Sequence, residues 1–87
     1  MTDFKDAILS FSSYLKYEKR YSSDTLKNYH IDLDKFSNYL NSINTYSLSD
    51  ISTEIIQGYI NSLNRSGFLA TTLARKASSI RSFFSFL

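Results

Sequence analysis

Thr72-Leu-Ala-Arg-Lys-Ala-Ser-Ser-Ile-Arg-Ser-Phe-Phe-Ser-Phe-Leu87 is a helix written in two halves. Leu73, Ala77, Ile80, Phe84 and Leu87 recur at steps of three or four, so they form one apolar stripe that requires burial. Thr72, Arg75, Ser79 and Ser82 fall on the opposite side, with Lys76 and Arg81 on its flanks. Short hydroxyls interleaved with cations, and no acid from Gly67 onward, make a surface suited to phosphates and base edges. No Gly, Asn or Pro closes this helix, so the 87 residues are expected to be the first domain of a longer protein.

The same periodicity runs through the rest of the chain. Phe4, Ala7, Ile8, Phe11 and Leu15 mark a first helix over about 3–19, with Asp3 as its N-cap. Arg20-Tyr21-Ser22 forms the first joint, and Ser22 caps a second helix that reaches about Ile43. Leu26, Tyr29, Leu33, Phe36, Leu40 and Ile43 are its apolar side. Asn44-Thr-Tyr-Ser47 is a polar loop, after which Leu48 and Ile51 lead into a third helix capped by Ser52, with Glu54 in its first turn. Ile55, Tyr59 and Leu63 are its core contacts, with Ile56 and Ile60 beside them. Gly67 suits the left-handed residue that ends a helix, and the fourth helix starts near Ala70. The fold class is therefore all-α, a compact bundle of four helices with short joints and no second domain within 1–87.

Composition supports this. The chain has no Pro and only two Gly, so strand-and-turn architectures lack their usual turn formers. Its 43% apolar content and fourteen Phe or Tyr residues argue against disorder and for an aromatic-rich core. Absence of Cys excludes disulfides and thiolate metal sites. No apolar run approaches the roughly 20 residues of a membrane span, and no secretory leader is visible, so a cytoplasmic location is expected. Net charge is only +2, but residues 1–64 carry −2 and residues 65–87 carry +4. A concentrated basic face matters more to a polyanion than the average does.

Catalytic chemistry is not written here. His30 is the single histidine, and Asp32 and Asp34 point about 200° apart on a helix, so no metal site converges. No serine sits in a Gly-flanked elbow, and no Gly-rich phosphate loop occurs. The tyrosines are expected to be structural, with rings in the core and hydroxyls at its rim. We expect no catalytic residue, metal, cofactor or small-molecule ligand within 1–87. The second helix has an exposed side of Asp24, Lys27, Asn28, Ile31, Lys35 and Asn38. Thr25, Lys27 and Asn28 sit near its N-terminus, where free N–H groups and the helix dipole favour a phosphate, and Asn28 has the geometry to pair with an adenine edge.

Read in order, the residues are Phe11-x-x-Tyr14-Leu15-x-x-Glu18, then Ser22-x-x-Thr25-Leu26-x-x-Tyr29-x-x-Asp32-Leu33-x-x-Phe36-x-x-Tyr39-Leu40. Leu48-Ser-Asp50-Ile51, Ile55-x-x-Tyr59-Ile60-x-x-Leu63 and Gly67 follow, and Thr72-Leu73-Ala74-Arg75-Lys76-x-x-Ser79-Ile80-Arg81-Ser82-Phe83-Phe84-x-Phe86-Leu87 closes the series. This series resembles the N-terminal core-binding domain of the tyrosine recombinase (phage integrase) family, and within it the Xer-type chromosome-dimer resolvases. Each piece alone is mostly a core pattern; the complete series, joint lengths included, is specific.

The resemblance implies a SAM-like bundle forming half of a C-shaped clamp around double-stranded DNA at a recombination site. A separate C-terminal domain, expected after residue 87, would hold the catalytic Arg, Lys, His and nucleophilic Tyr. The intact protein would cleave one strand per protomer through a 3′-phosphotyrosyl bond, within a DNA-bound tetramer and without metal or nucleotide. The DNA-binding positions implied are Thr25, Lys27 and Asn28 on the second helix, and Thr72, Arg75, Lys76, Ser79 and Arg81 on the fourth. Lys16 and Tyr17 would face a neighbouring protomer. The chain departs from the family in carrying His30, Ile31 and Asp34 where relatives often carry Arg, and Leu69 where a capping Ser or Thr is usual, leaving Thr71 or Ser66 as substitutes. Both departures imply weak DNA binding by the isolated domain. Two rival readings are a helical protein-interaction module docking through Phe83, Phe86 and Leu87, and a core fragment of an unrelated helical protein.

Overall fold

A computed structural model describes residues 4–87 as four α-helices, α1 (Phe4–Tyr17), α2 (Ser23–Ser42), α3 (Thr53–Arg65) and α4 (Ala70–Phe86), with one 3-10 turn at Leu48–Asp50. No strand occurs among the described residues. The proposed Asp3 cap lies outside them. Ser22 accepts a hydrogen bond from the Thr25 N–H at 3.3 Å and Ser52 one from the Ile55 N–H at 3.2 Å, so both expected caps are formed.

The joints turn through left-handed residues. Gly67 has φ 91°, as its position after α3 requires. Arg20 and Asn44 also adopt positive φ, 55° and 56°. Asn tolerates that region well, whereas Arg20 is held there by the closing α1 turn, in which the Tyr21 N–H reaches the Leu15 carbonyl at 3.2 Å. Leu69 precedes α4 without a side-chain cap. Ser66, one of the two substitutes, instead donates its hydroxyl to the Ser62 carbonyl.

The bundle is a slab of 36 × 33 × 18 Å, and α4 is its hub, packing against all three other helices. Phe11, Phe36 and Phe83 are its most deeply buried aromatic rings. Phe83 stands edge-on to Phe4 and Phe11, with ring centroids 5.3 and 5.4 Å away, and Phe36 meets Tyr59 of α3 at 5.1 Å. Such tilted and edge-on pairs contribute about 0.5–1.5 kcal/mol each beyond area burial. Gly58 admits the Tyr39 hydroxyl: a Cβ there would lie 3.2 Å from it.

All five apolar residues read from the α1 stripe are buried. The α4 stripe is turned from its expected setting. Its buried residues are Lys76, Ser79, Ile80 and Phe83, while Leu73, Ala77 and Phe84 are half-buried and Leu87 is exposed. With neighbours on two sides, α4 sinks its Lys76–Phe83 edge between α1 and α2 and turns Ala77 and Phe84 toward α3, which covers them incompletely. Phe83, offered above as part of a docking surface, is fully inside. On α2, Asp32 and Ser37 are buried, and Ile43, expected in the core, is exposed.

Candidate nucleic-acid interface

The N-terminal half of α2 and the middle of α4 enclose a shallow cavity of about 230 Å³ lined by Thr25, Asn28, Tyr29, Asp32, Arg75, Ser78 and Ser79. Four of the eight residues expected to bind DNA, Thr25, Asn28, Arg75 and Ser79, therefore meet at one place although 47 positions separate Asn28 from Arg75. Asn28 is exposed, in the second turn of α2 after the Ser22 cap. Thr25 is half-buried, and its hydroxyl accepts from Ser22 Oγ at 3.0 Å.

Asp32 organises the floor. It is 1% exposed, and its carboxylate accepts from Arg75 Nη2 at 3.0 Å, Lys76 Nζ at 3.1 Å and Ser79 Oγ at 2.9 Å. Lys76 is itself 3% exposed and Ser79 6%. Their buried polar groups are affordable only because each meets the carboxylate; an isolated ammonium at that depth would cost several kcal/mol. Arg75 differs, since 49% of its side chain is exposed: one guanidinium nitrogen meets Asp32, and the residue also lines the cavity. The cluster carries one excess positive charge, and that charge is displayed through Arg75.

The setting of α4 differs from the one its sequence suggests. Lys76 and Ser79 do not lie on the solvent side of α4; they are pinned inward, because burying Ile80 and Phe83 carries their edge toward α2, where Asp32 waits. Thr72 is half-buried one turn before Lys76, and Lys27 and Arg81 are exposed, but none of the three lines the Asn28–Arg75 cavity. Arg81 instead borders a second cavity farther along α4. Asp32, weighed above only as a metal ligand, escaped the sequence reading as a partner for α4; an acid on the apolar edge of α2, at i−4 from Phe36, was the available signal. Among the described residues no cluster of three or more metal-ligating side chains forms.

The negative charge reaches further in. The Tyr59 hydroxyl is buried without a hydrogen-bond partner, and burial, reinforced by the Asp32 carboxylate, pushes its pKa above the ordinary value. Lys16 and Tyr17, expected to meet a neighbouring protomer, are exposed at the end of α1, the ammonium 5.3 Å from the Tyr17 ring centroid.

Four helices without a strand among the described residues, with Thr25, Asn28 and Arg75 brought together between the second and the fourth, define a small all-α bundle, and comparison with known proteins specifies its family. The family described as phage integrase, N-terminal SAM-like domain, matches residues 8–87, and this chain belongs to that family. Among its relatives is the tyrosine recombinase XerC of Halalkalibacterium halodurans, 32% identical over 80 residues that cover 92% of this chain and 26% of the relative. XerC of Thermodesulfovibrio yellowstonii is 36% identical over 87 residues, covering 100% and 28%. XerC of Listeria innocua is 36% identical over 77 residues, covering 88% and 26%. The chain thus spans about a quarter of the length of the curated relatives it matches. No solved structure matches it. No described helix is long and apolar enough to cross a membrane.

Proposed function

We propose that this chain is the DNA-clamping domain of a site-specific, Xer-like tyrosine recombinase, and that a further domain of the parent protein carries out strand cleavage and exchange. α2 and α4 lie across one side of a duplex. Asn28 and Arg75 read base edges from the shared groove, while Thr25, Lys27, Thr72 and Arg81 hold the flanking phosphates. Lys76 and Ser79 act from beneath: they fix the Asp32 carboxylate, which in turn sets the direction of the Arg75 guanidinium. In the parent enzyme the domain works within a DNA-bound tetramer in the cytoplasm, with Lys16 and Tyr17 toward a neighbouring protomer, and it needs no cofactor of its own.

The observation that supports this most is the convergence of Thr25, Asn28 and Arg75 on one cavity between two helices. A protein-docking module has no reason to place a base-reading amide, a half-exposed guanidinium and a helix N-terminus side by side. Asp24 and Asp34 are exposed on α2 and weaken the attraction of that helix for a polyanion, so binding by the domain alone is expected to be modest and steeply salt-dependent.

Titration of a labelled duplex at low and moderate salt tests the reading. Arg75→Ala should weaken binding by roughly 1–3 kcal/mol if Arg75 contacts a base, with little loss of folding stability. Unchanged binding by that variant would remove Arg75 from the interface, and a wild-type domain that binds no duplex even at low salt would overturn the assignment.

A further inference from the structure

A second cavity, of about 350 Å³, opens where the end of α1 meets the outer half of α4. Lys19, Tyr14 and Tyr21 line it from the α1 side, and Ser78, Arg81 and Ser82 from α4. It shares Tyr29 and Ser78 with the Asn28–Arg75 cavity, so the two adjoin. Resting on the DNA-clamping reading above, we infer that this second cavity is a phosphodiester subsite. In it Lys19, which no sequence pattern assigned, and Arg81 grip the DNA backbone as it leaves the base-reading groove.

The charges carry the inference. Lys19 and Arg81 come from different helices, neither forms an ion pair among the described residues, and no lining residue is acidic. Two cations bordering one cavity repel each other, and an anion seated between them relieves that repulsion. Glu18, the acid nearest Lys19 in sequence, is exposed and does not line the cavity.

A helix C-terminus normally opposes an anion through its free carbonyls. Here two carbonyls of the last turn of α1 are already engaged: that of Tyr14 accepts the Glu18 and Lys19 N–H groups at 2.9 and 3.1 Å, and that of Leu15 accepts the Tyr21 N–H. The polar side chains that line the cavity are an ammonium, a guanidinium, and tyrosine and serine hydroxyls, all able to donate. Such a set suits the non-bridging oxygens of a phosphodiester. The Lys19 ammonium lies 6.0 Å from the Tyr14 ring centroid and the Tyr21 and Tyr29 rings stack at 6.0 Å, so the aromatic wall orders the site without occupying its donors.

The test is the salt dependence of binding to a labelled random-sequence duplex, measured for the wild type and for Lys19→Gln, Arg81→Gln and Lys5→Gln, each checked for folding by thermal melting. Lys5 lies in the first turn of α1, at the opposite end from Lys19, and controls for net charge. Removing one cation that sits on a phosphate should flatten the slope of log K against log salt by about one. Lys19→Gln and Arg81→Gln should each do so, and Lys5→Gln should not. Equal effects from all three variants, or none from Lys19→Gln while Arg75→Ala still weakens binding, would remove the subsite and leave the clamp. Absence of duplex binding by the wild type would remove both.

Discussion

Removing the Asp32 carboxylate should damage this domain more than removing either exposed cation of the proposed interface. In Asp32→Ala the Lys76 ammonium, 3% exposed, loses its only carboxylate partner among the described residues, and Ser79 keeps the Arg75 carbonyl at 3.2 Å. Breaking a buried ion pair by deleting one partner costs about 3–5 kcal/mol, because the orphaned charge stays desolvated. Chains of this length hold roughly 0.05–0.15 kcal/mol per residue, about 4–13 kcal/mol in all, so the loss takes much of the reserve. At about 4–8 °C per kcal/mol the melting temperature should fall by at least about 12 °C. Arg75→Ala removes the other cation from the same oxygen, yet half of that side chain is in water, and the cost should stay under about 1 kcal/mol. The double change Asp32→Leu, Lys76→Met removes both buried charges at similar volume and should recover stability to within about 1 kcal/mol of the wild type or exceed it. Urea unfolding followed by circular dichroism, run as a double-mutant cycle, measures the coupling. A cost below about 1 kcal/mol for Asp32→Ala, or a double variant no more stable than the sum of the singles, would refute the picture of a buried network joining α2 to α4.

Ile80→Ala should destabilise by about 2–5 kcal/mol in the same assay, whereas Leu73→Ala, at a half-buried site, should cost the lower end of that range or less. Tyr59 predicts an alkaline effect: its folded pKa is raised, so the folded state holds its proton more tightly than the unfolded chain. That contribution is complete below the ordinary tyrosine value of 10.0 and is lost as pH rises through the higher folded value. Stability should therefore fall more steeply above pH 10 in the wild type than in Tyr59→Phe. Because the hydroxyl has no partner, Tyr59→Phe should itself be neutral or stabilising at about pH 7. Identical alkaline melting curves for the two proteins would refute the raised pKa.

Much of the architecture was legible from periodicity and capping chemistry. The α1 stripe, both serine caps and Gly67 follow from local rules, since each depends on residues within a turn or two. Arg20 in the left-handed region was not legible, because the Tyr21 to Leu15 hydrogen bond that fixes it overrides the preference of Arg. The candidate groove was legible in membership more than in orientation. Thr25, Asn28, Arg75 and Ser79 line it, but Lys76 and the Ser79 hydroxyl turn inward to Asp32, and Lys19 belongs to an adjoining cavity that no one-helix pattern marks.

The sequence alone determined that four amphipathic helices with short joints would form, which faces were apolar, and where the positive charge would concentrate, because helix periodicity and capping act over a few residues. Only the tertiary structure decided how far α4 rotates about its axis. Three helices compete for its surface, and the setting that buries Phe83 and Ile80 also brings Lys76 and Ser79 within reach of Asp32, more than forty residues away in the chain. A cation near an acid on another helix leaves no local mark, and the difference between a charge that meets solvent and one that anchors the core is settled by packing.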